Sequence, residues 1–207
     1  MKLKFLITAI TLFLSASLMG ATVHSAEELF QLCSTCHGMK GEGNKRIAAP
    51  AIAGMPEWYV KRQLTNFQKG GRGTHADDRP GMRMRPMAKT LFWSGDKAID
   101  TISKYVSKLK HPELKESVNG SPLRGRKAFA ACQACHGEKA RGNQALNAPN
   151  LTVTNDWYLL TQLMNFKNGV RGGNPMIDPT GASMAPMAAG LSEQAMKDIV
   201  AYIQTLR

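Results

Sequence analysis

The sequence predicts an all-α protein of two tandem, similar domains, and three observations lead to this fold class. Apolar residues recur at helical spacing, as at Val60, Leu64 and Phe67, which follow an i, i+4, i+7 pattern. The strict apolar–polar alternation typical of half-buried strands is absent. The two halves of the chain also match each other at an offset close to 99 residues. A repeat of that length indicates duplicated domains rather than a solenoid.

The repeat is carried by residue types that seldom coincide by chance. At an offset of 99 the chain pairs Cys33 with Cys132, Cys36 with Cys135, His37 with His136, Pro50 with Pro149, and Trp58-Tyr59 with Trp157-Tyr158. YVKRQLTNFQKGGRG at 59–73 aligns with YLLTQLMNFKNGVRG at 158–172, and MRPMAKTL at 84–91 aligns with MAPMAAGL at 184–191. The domains are expected at 27–112 and 120–207, and the polar, Gly/Pro-containing residues 113–119 form a linker.

The first 26 residues have the layout of a secretory signal peptide. Lys2 and Lys4 precede an apolar run from Phe5 to Met19, and small and polar residues follow as far as Ala26. The run is short for a membrane span of about 20 residues. We therefore expect export to the periplasm by a leader that is cleaved between Ala21 and Ala26. The periplasm is oxidising, so the four cysteines of the chain would form disulfides unless other chemistry holds them apart.

Each copy is expected to contain three helices. A short helix precedes each cysteine motif, a second runs over about 56–67 with Pro56 at its first position, and a last helix covers about 96–109 or 192–206. Domains of about 85 residues with three short helices have thin cores of their own. Something large and apolar is therefore expected to fill each domain.

The charge of the chain indicates the kind of partner. The net charge is +12, and removal of the two leader lysines leaves +10. The basic residues are scattered and aromatics are few, so nucleic acid is not an expected partner of an exported chain. An acidic protein docking face fits this charge, and an anionic membrane surface fits it for peripheral association.

The repeated motif C-x-x-C-H decides between three chemistries. A structural zinc site needs four ligands, whereas each repeat offers only two cysteines and one histidine. A redox dithiol of the thioredoxin kind expects a strand before its helix, and no strand is predicted here. C-x-x-C-H is the attachment signature of c-type haem, because cysteines at i and i+3 share one side of a helical turn. We therefore expect two covalently bound haem c groups, on Cys33 and Cys36 and on Cys132 and Cys135, with His37 and His136 as iron ligands.

These motifs establish a family resemblance. Each half resembles a class I cytochrome c, and the chain after the leader resembles the dihaem cytochrome c4 family, through the paired CxxCH sites, QLxNFxxGxRG, and MxPMAxxL before a final helix. The resemblance implies His/Met ligation in both domains, with the methionine donated from a loop ahead of the last helix. It also implies electron transfer to terminal oxidases by a soluble or membrane-associated carrier.

Several methionines compete for the sixth iron position. The candidates are Met82, Met84 and Met87 in the first copy and Met176, Met184 and Met187 in the second. Met84 and Met184 each stand seven residues before the leucine that opens the last helix, which is the family's usual spacing. We favour this pair, and Met87 and Met187 remain the alternative, with packing beside a flat ring as their other role.

Other repeated residues have expected supporting roles. The resemblance implies that the carbonyls of Pro50 and Pro149 accept from the proximal histidines, which fixes the orientation of a ligand ring. Arg72 and Arg171 are candidates to neutralise haem propionates. His24, His75 and His111 have no repeat partner, so no ligation is assigned to them.

The expected function is therefore electron transfer rather than catalysis. The chain is interpreted as a periplasmic dihaem carrier between a quinol-oxidising complex and a terminal oxidase or reductase. Two alternatives stay open at this stage: a cytochrome subunit of a periplasmic dehydrogenase complex, and a dihaem peroxidase. The peroxidase requires a vacant or displaceable sixth position on one haem, and both repeats retain the same methionine motif.

Overall fold

The computed structural model of the chain describes residues 24–95 and 97–207, so the predicted leader lies almost entirely outside the described residues. The described part is helical, with eight α-helices and one 3₁₀ turn. The first domain contains α1 (Ala26–His37), the turn Lys45–Ile47, α2 (Glu57–Lys69), α3 (Arg79–Trp93) and α4 (Ala98–Lys108). The second contains α5 (Pro122–His136), α6 (Asp156–Lys167), α7 (Pro179–Ala189) and α8 (Glu193–Gln204). The all-α, two-domain prediction is confirmed.

The first and last helices of each domain pack against each other at the same aromatic pair. Phe30 of α1 meets Tyr105 of α4 with ring centroids 5.3 Å apart, and Phe129 of α5 meets Tyr202 of α8 at 5.6 Å. In the second domain Gly125 brings α5 close to α8, because a Cβ at this position would overlap the backbone carbonyl of Asp198. The repeat seen in the sequence is therefore a repeat of packing.

Two predictions about the first helix and the second helix need correction. The first helix does not stop before the cysteine motif; it runs through the motif and ends at the histidine in both domains. The glycine after each histidine ends the helix, with a positive φ of 83° at Gly38. Pro56 is the residue that precedes α2 rather than its first helical residue, and α2 ends at Gly70 with φ 81°.

The methionine segments are the main departure from the sequence-based prediction. We expected three helices per domain with the methionines in a loop, but α3 and α7 are helices that contain them. Asp78 and Asp178 cap these helices by accepting from the Gly81 and Gly181 amides, at 3.0 and 2.9 Å. Pro86 and the equivalent Pro186 lie inside the helices. A proline there removes one helical hydrogen bond, so the sequence pattern resembles a turn although the cap and the packing maintain the helix.

The linker is fixed to the second domain by one buried carboxylate. Asp156, at the start of α6, accepts from the Ser117 amide, from the Val118 amide at 2.7 Å and from Gln204 Nε2 at 2.6 Å. Burial raises the pKa of Asp156, but the hydrogen bonds from Ser117, Val118 and Trp157 outweigh it, so the pKa lies below its usual value. The linker is thus bound to the domain that follows it.

The two domains also contact each other directly. The Ala51 amide donates to Asn155 Oδ1 at 2.6 Å, and Arg62 Nη1 donates to the Asn147 carbonyl at 3.0 Å. These bonds join the loop after each histidine to the opposite domain. Within the described ranges, no helix is both long and apolar enough to cross a membrane.

Candidate haem sites

The C-x-x-C-H motif occupies the last turns of α1 and of α5. Cys33 is half-buried and Cys36 is exposed, and Cys132 and Cys135 repeat this arrangement. Burial raises the pKa of the Cys33 thiol to about 11, and burial followed by the nearby Cys135 raises the pKa of Cys132. All four cysteines are described and free. A protonated, partly buried thiol is a poor redox nucleophile, so Cys33 and Cys132 are not suited to that role.

The two histidines lie against a backbone carbonyl, as the resemblance implied. His37 Nδ1 is 2.7 Å from the Pro50 carbonyl oxygen, and His136 Nδ1 is 2.9 Å from that of Pro149. Burial lowers the pKa of both imidazoles, and the carbonyl contacts oppose it only in part. Each ring is therefore neutral near pH 7 with its Nδ1 proton donated to the carbonyl. This leaves Nε2 as the free lone pair, the state required of a metal ligand.

A glycine in each loop makes this contact possible. Gly43 donates its amide to the His37 carbonyl at 2.7 Å and adopts φ 85°. A Cβ at Gly43 would lie 2.5 Å from the Ala51 nitrogen, and one at Gly142 would lie 2.6 Å from the Ala148 carbonyl oxygen. Close backbone approach therefore requires glycine here, and it folds the loop so that the proline returns to the histidine.

The first domain contains an apolar cavity of about 470 Å³ beside its cysteine motif. Cys33, Cys36 and His37 line one side of it, and Met84 and Met87 of α3 also line it. Core side chains of α2 and α4 close the walls, among them Leu64, Phe67, Ile102 and Val106. The expectation that a large apolar group fills the domain is consistent with this space.

The methionine candidates differ in exposure. Met84 is half-buried and packs against the core of the first domain, and Met184 is half-buried at the same place in α7. Met87 and Met187 are 37% and 49% exposed. Met82 is 49% exposed and Met176 is 91% exposed, and Met82 is not among the residues that line the cavity. Met84 and Met184 are thus the least exposed candidates of their domains, and Met84 and Met87 both reach the first cavity.

Trp157 and Tyr158 of the second domain line the cavity of the first, together with Gln162. The structure therefore places this aromatic pair in the site of the opposite domain. Tyr59 lines the cavity of its own domain. The first site is therefore completed by both domains.

Arg72 and Arg171 are buried at the interface between the domains. Arg72 Nη1 donates to Gln63 Oε1 at 2.8 Å and Arg72 Nη2 to the Tyr158 hydroxyl at 3.0 Å. Arg171 Nη1 donates to Gln162 Oε1 at 2.7 Å. The two guanidinium groups also lie over Phe67 and Phe166, at 4.4 and 4.6 Å from the ring centroids. The interface therefore contains two buried positive charges.

This interface has donors without acceptors. Among the described residues, the Nε atoms of Arg72 and Arg171 and the Nε2 of Gln63 are buried without a hydrogen-bond partner. Burial raises the pKa of Tyr59, but the charges of Arg171 and Arg72 outweigh it and lower the pKa. An environment that stabilises a phenolate favours anions in general. Buried cations with spare donors therefore indicate a place for carboxylates.

The sequence reasoning did not single out Gln63 and Gln162. The available signal was their identity at the same offset of 99 within QLxNFxxGxRG. His24, His75 and His111 are exposed. No cluster of three or more histidine, cysteine or acidic side chains suited to a metal ion occurs within residues 24–95 and 97–207.

Comparison with known proteins agrees with these features. Residues 23–110 and 123–207 each match the cytochrome c family model. The chain is 34% identical over 155 residues to the thiosulfate dehydrogenase electron acceptor of Thiomonas intermedia, an alignment that covers 70% of this chain and 66%, just under two thirds, of that protein. It is 29% identical over 187 residues to cytochrome c4 of Azotobacter vinelandii, with 84% of each chain covered. The structure of reduced cytochrome c4 from Pseudomonas stutzeri superposes with a TM-score of 0.65 at 27% identity, covering 88% of this chain and 97% of that one.

Two C-x-x-C-H helices in tandem all-α domains, together with the cytochrome c4 relatives, define a dihaem electron-transfer protein rather than an enzyme. The chain belongs to the cytochrome c family, and its two halves are cytochrome c domains that together resemble cytochrome c4. It carries two covalently bound haem c groups, at the C-x-x-C motifs 33–36 and 132–135. The residues present fit this group, because an apolar cavity adjoins the motif and unpartnered arginine nitrogens are available for carboxylates.

Proposed function

We propose that the chain is a periplasmic electron carrier that accepts electrons from a quinol-oxidising complex and delivers them to a terminal oxidase or reductase. The predicted leader supports the location. The matched histidine–proline contacts of 2.7 and 2.9 Å are the observation that supports two equivalent redox sites. The resemblance to cytochrome c4 supports the place in a respiratory chain.

We further propose the residues that hold each group. Cys33 and Cys36 form the thioether bonds in the first domain, and Cys132 and Cys135 form them in the second. His37 and Met84 bind one iron, and His136 and Met184 bind the other. When bound, the haem supplies reversible one-electron exchange between ferric and ferrous iron. A methionine ligand raises the reduction potential, and the apolar cavity supports the same direction because the ferric state carries more charge.

The arginines act on both sites in this proposal. The unpartnered Nε atoms of Arg72 and Arg171 would donate hydrogen bonds to the haem propionates. The carboxylates then compensate the two buried charges. Arg72 lies at the interface between the domains and also lines the first cavity, so it connects the interface with the first haem site.

The proposal is tested on the full chain, expressed with its leader and with the haem-attachment machinery of the host. The mass of the mature protein reports two haems and the position of cleavage. Optical redox titration is expected to show two low-spin c-type haems with a methionine–iron band at the red end of the spectrum. A colourless protein, a bare polypeptide mass or purely high-spin spectra would contradict the proposal.

A second candidate has a specific observation in its favour. The relative from Thiomonas intermedia is named as an electron acceptor of thiosulfate dehydrogenase, at 34% identity. A cytochrome subunit bound to a periplasmic dehydrogenase would use the same two sites. Purification from native membranes and periplasm distinguishes the two candidates, because a dehydrogenase subunit co-purifies with its enzyme and a free carrier does not.

A further inference from the structure

The two methionine helices differ sharply in charge. Helix α3 contains four basic residues and no acidic one: Arg79, Arg83, Arg85 and Lys89. Helix α7 contains no charged residue in its sequence PTGASMAPMAA. At the repeat offset of 100, the four basic residues align with Pro179, Ser183, Ala185 and Ala189. The same element is therefore cationic in one domain and neutral in the other.

The loop between the histidine and the proline shows a smaller difference in the same direction, with a net charge of +2 in the first domain and +1 in the second. Lys45 and Arg46 form the 3₁₀ turn of the first domain and are exposed, whereas the second domain has Gln144 and Ala145 at the offset of 99. Lys40 is matched by Lys139, and the second loop has a further basic residue in Arg141, whose guanidinium donates to Thr152 Oγ1 and to the Leu206 carbonyl. Of the acidic residues in these segments, Asp78 is buried as a helix cap, and Glu42 and Asp77 are exposed.

These two basic segments meet at the cavity of the first domain. Arg83 Nη2 donates to the Ile47 carbonyl at 2.7 Å, which joins α3 to the 3₁₀ turn. Ile47, Arg83 and Met87 all line the cavity, and Leu32 beside them is 41% exposed. The surface around the first site thus has an apolar centre with a basic rim, which is the usual anatomy of a protein interface.

We propose that this surface, formed by Lys45, Arg46 and Arg83 around Leu32 and Met87, is the docking site for an acidic redox protein. The equivalent surface of the second domain lacks the basic rim, so we expect it to bind a partner without electrostatic attraction. The chain then has one salt-dependent and one salt-independent face, each beside its own redox site. This inference rests on the proposed carrier function and adds which domain meets the acidic partner.

Charge complementarity supports the choice of occupant. Opposite charges steer the approach of two proteins and raise the association rate by about 10–10³-fold, an effect that falls steeply with ionic strength. The basic residues are side chains with their heads in water, so they act through this long-range field rather than through buried ion pairs. A carrier that must release its partner quickly gains rate from such contacts without tight binding.

The test uses the full-length holoprotein and an acidic plastocyanin as the probe. The variant Lys45→Gln/Arg46→Ala/Arg83→Ser gives the first domain the residues of the second at three exposed positions. The rate constant for reduction of the plastocyanin by the ferrous protein is measured by stopped flow across a range of ionic strengths. We expect a fall of about tenfold at low salt, and little difference from the parent protein near 1 M salt.

A matched control removes the same charge elsewhere. Lys104→Gln/Lys108→Ala/Lys110→Ala changes three exposed lysines on and after α4, so the net charge falls equally. We expect this control to retain most of the parent rate at every salt concentration. An equal loss in the control, or no loss in the first variant, overturns the proposal.

Two further measurements complete the test. The reverse exchange, Gln144→Lys/Ala145→Arg/Ser183→Arg, is expected to increase the salt dependence of the rate. Sedimentation with anionic vesicles tests whether the basic rim binds a membrane surface instead of a protein. The proposal is also overturned if vesicle binding depends on the basic rim and plastocyanin reduction does not. Failure of the carrier function itself is recognised earlier, because such a protein lacks two reducible low-spin haems.

Discussion

Arg72 and Arg171 each donate to the glutamine of the opposite domain, Arg72 Nη2 to Gln162 Oε1 at 3.3 Å and Arg171 Nη2 to Gln63 Oε1 at 3.0 Å. Each arginine also donates to the glutamine of its own domain, at 2.8 and 2.7 Å. The four side chains therefore form one buried, nearly symmetric cluster. A change in one arginine is expected to affect both halves of the molecule.

Replacement of Arg72 by glutamine is expected to lower both reduction potentials. A buried positive charge disfavours the ferric state, so its removal stabilises that state. We expect a fall of about 60 mV in the first domain, which corresponds to a tenfold change in a one-electron equilibrium, and a smaller fall in the second. Spectroelectrochemical titration of the holoprotein measures both.

The conservative variant is the control for this prediction. Arg72→Lys retains the positive charge but loses the planar guanidinium group, so the reduction potentials should stay close to those of the parent protein. An equal fall in Arg72→Lys would assign the effect to packing instead of charge. Unchanged reduction potentials in Arg72→Gln would show that the charge of Arg72 does not affect either iron.

Replacement of Met84 by alanine is expected to remove the methionine–iron absorption band of the first domain and to lower its potential by more than about 60 mV, because a methionine ligand raises the potential. Met87→Ala is the matched control and should leave the band intact. The pair Met184→Ala and Met187→Ala repeats the comparison in the second domain. Loss of the band in Met87→Ala alone would reverse the assignment.

Replacement of Asp156 by asparagine is expected to destabilise the second domain. The change weakens the hydrogen bonds that the side chain accepts from the Ser117 and Val118 amides and from Gln204. Loss of such buried bonds costs about 1–3 kcal/mol in the free energy of unfolding, measured by chemical denaturation. The repeat offers a control, since Glu57 occupies the equivalent position and is exposed. Glu57→Gln should therefore change stability by less than about 0.5 kcal/mol.

The Arg124–Asp198 pair predicts a stability change at low pH. Hydrogen bonds from Arg124 and from the Ser121 amide lower the pKa of Asp198 to about 2. A carboxyl with a lowered folded pKa contributes stability that is present above its unfolded pKa of about 3.9 and is lost as the pH falls through its folded value. Asp198→Asn is therefore expected to destabilise the protein at pH 7 and to approach the parent protein as the pH nears 2. Denaturation curves at several pH values measure this, and a constant difference would contradict it.

The sequence determined the chemistry of this protein. The C-x-x-C-H spacing depends on local helical geometry, and duplication at one offset needs no knowledge of the fold. The His37–Pro50 contact followed from family resemblance, and the structure agrees with it. In contrast, Pro86 and Pro186 made a helix resemble a turn, because local sequence does not report the packing that maintains a helix around a proline.

Tertiary structure alone decided which side chains meet. Arg72 and Gln162 are 90 residues apart in the chain and belong to different domains, so no local spacing predicts their contact. The same holds for Trp157, which completes the site of the other domain. Short-range patterns encode helices and covalent attachment, whereas burial of charge at an interface depends on how two folded surfaces fit together.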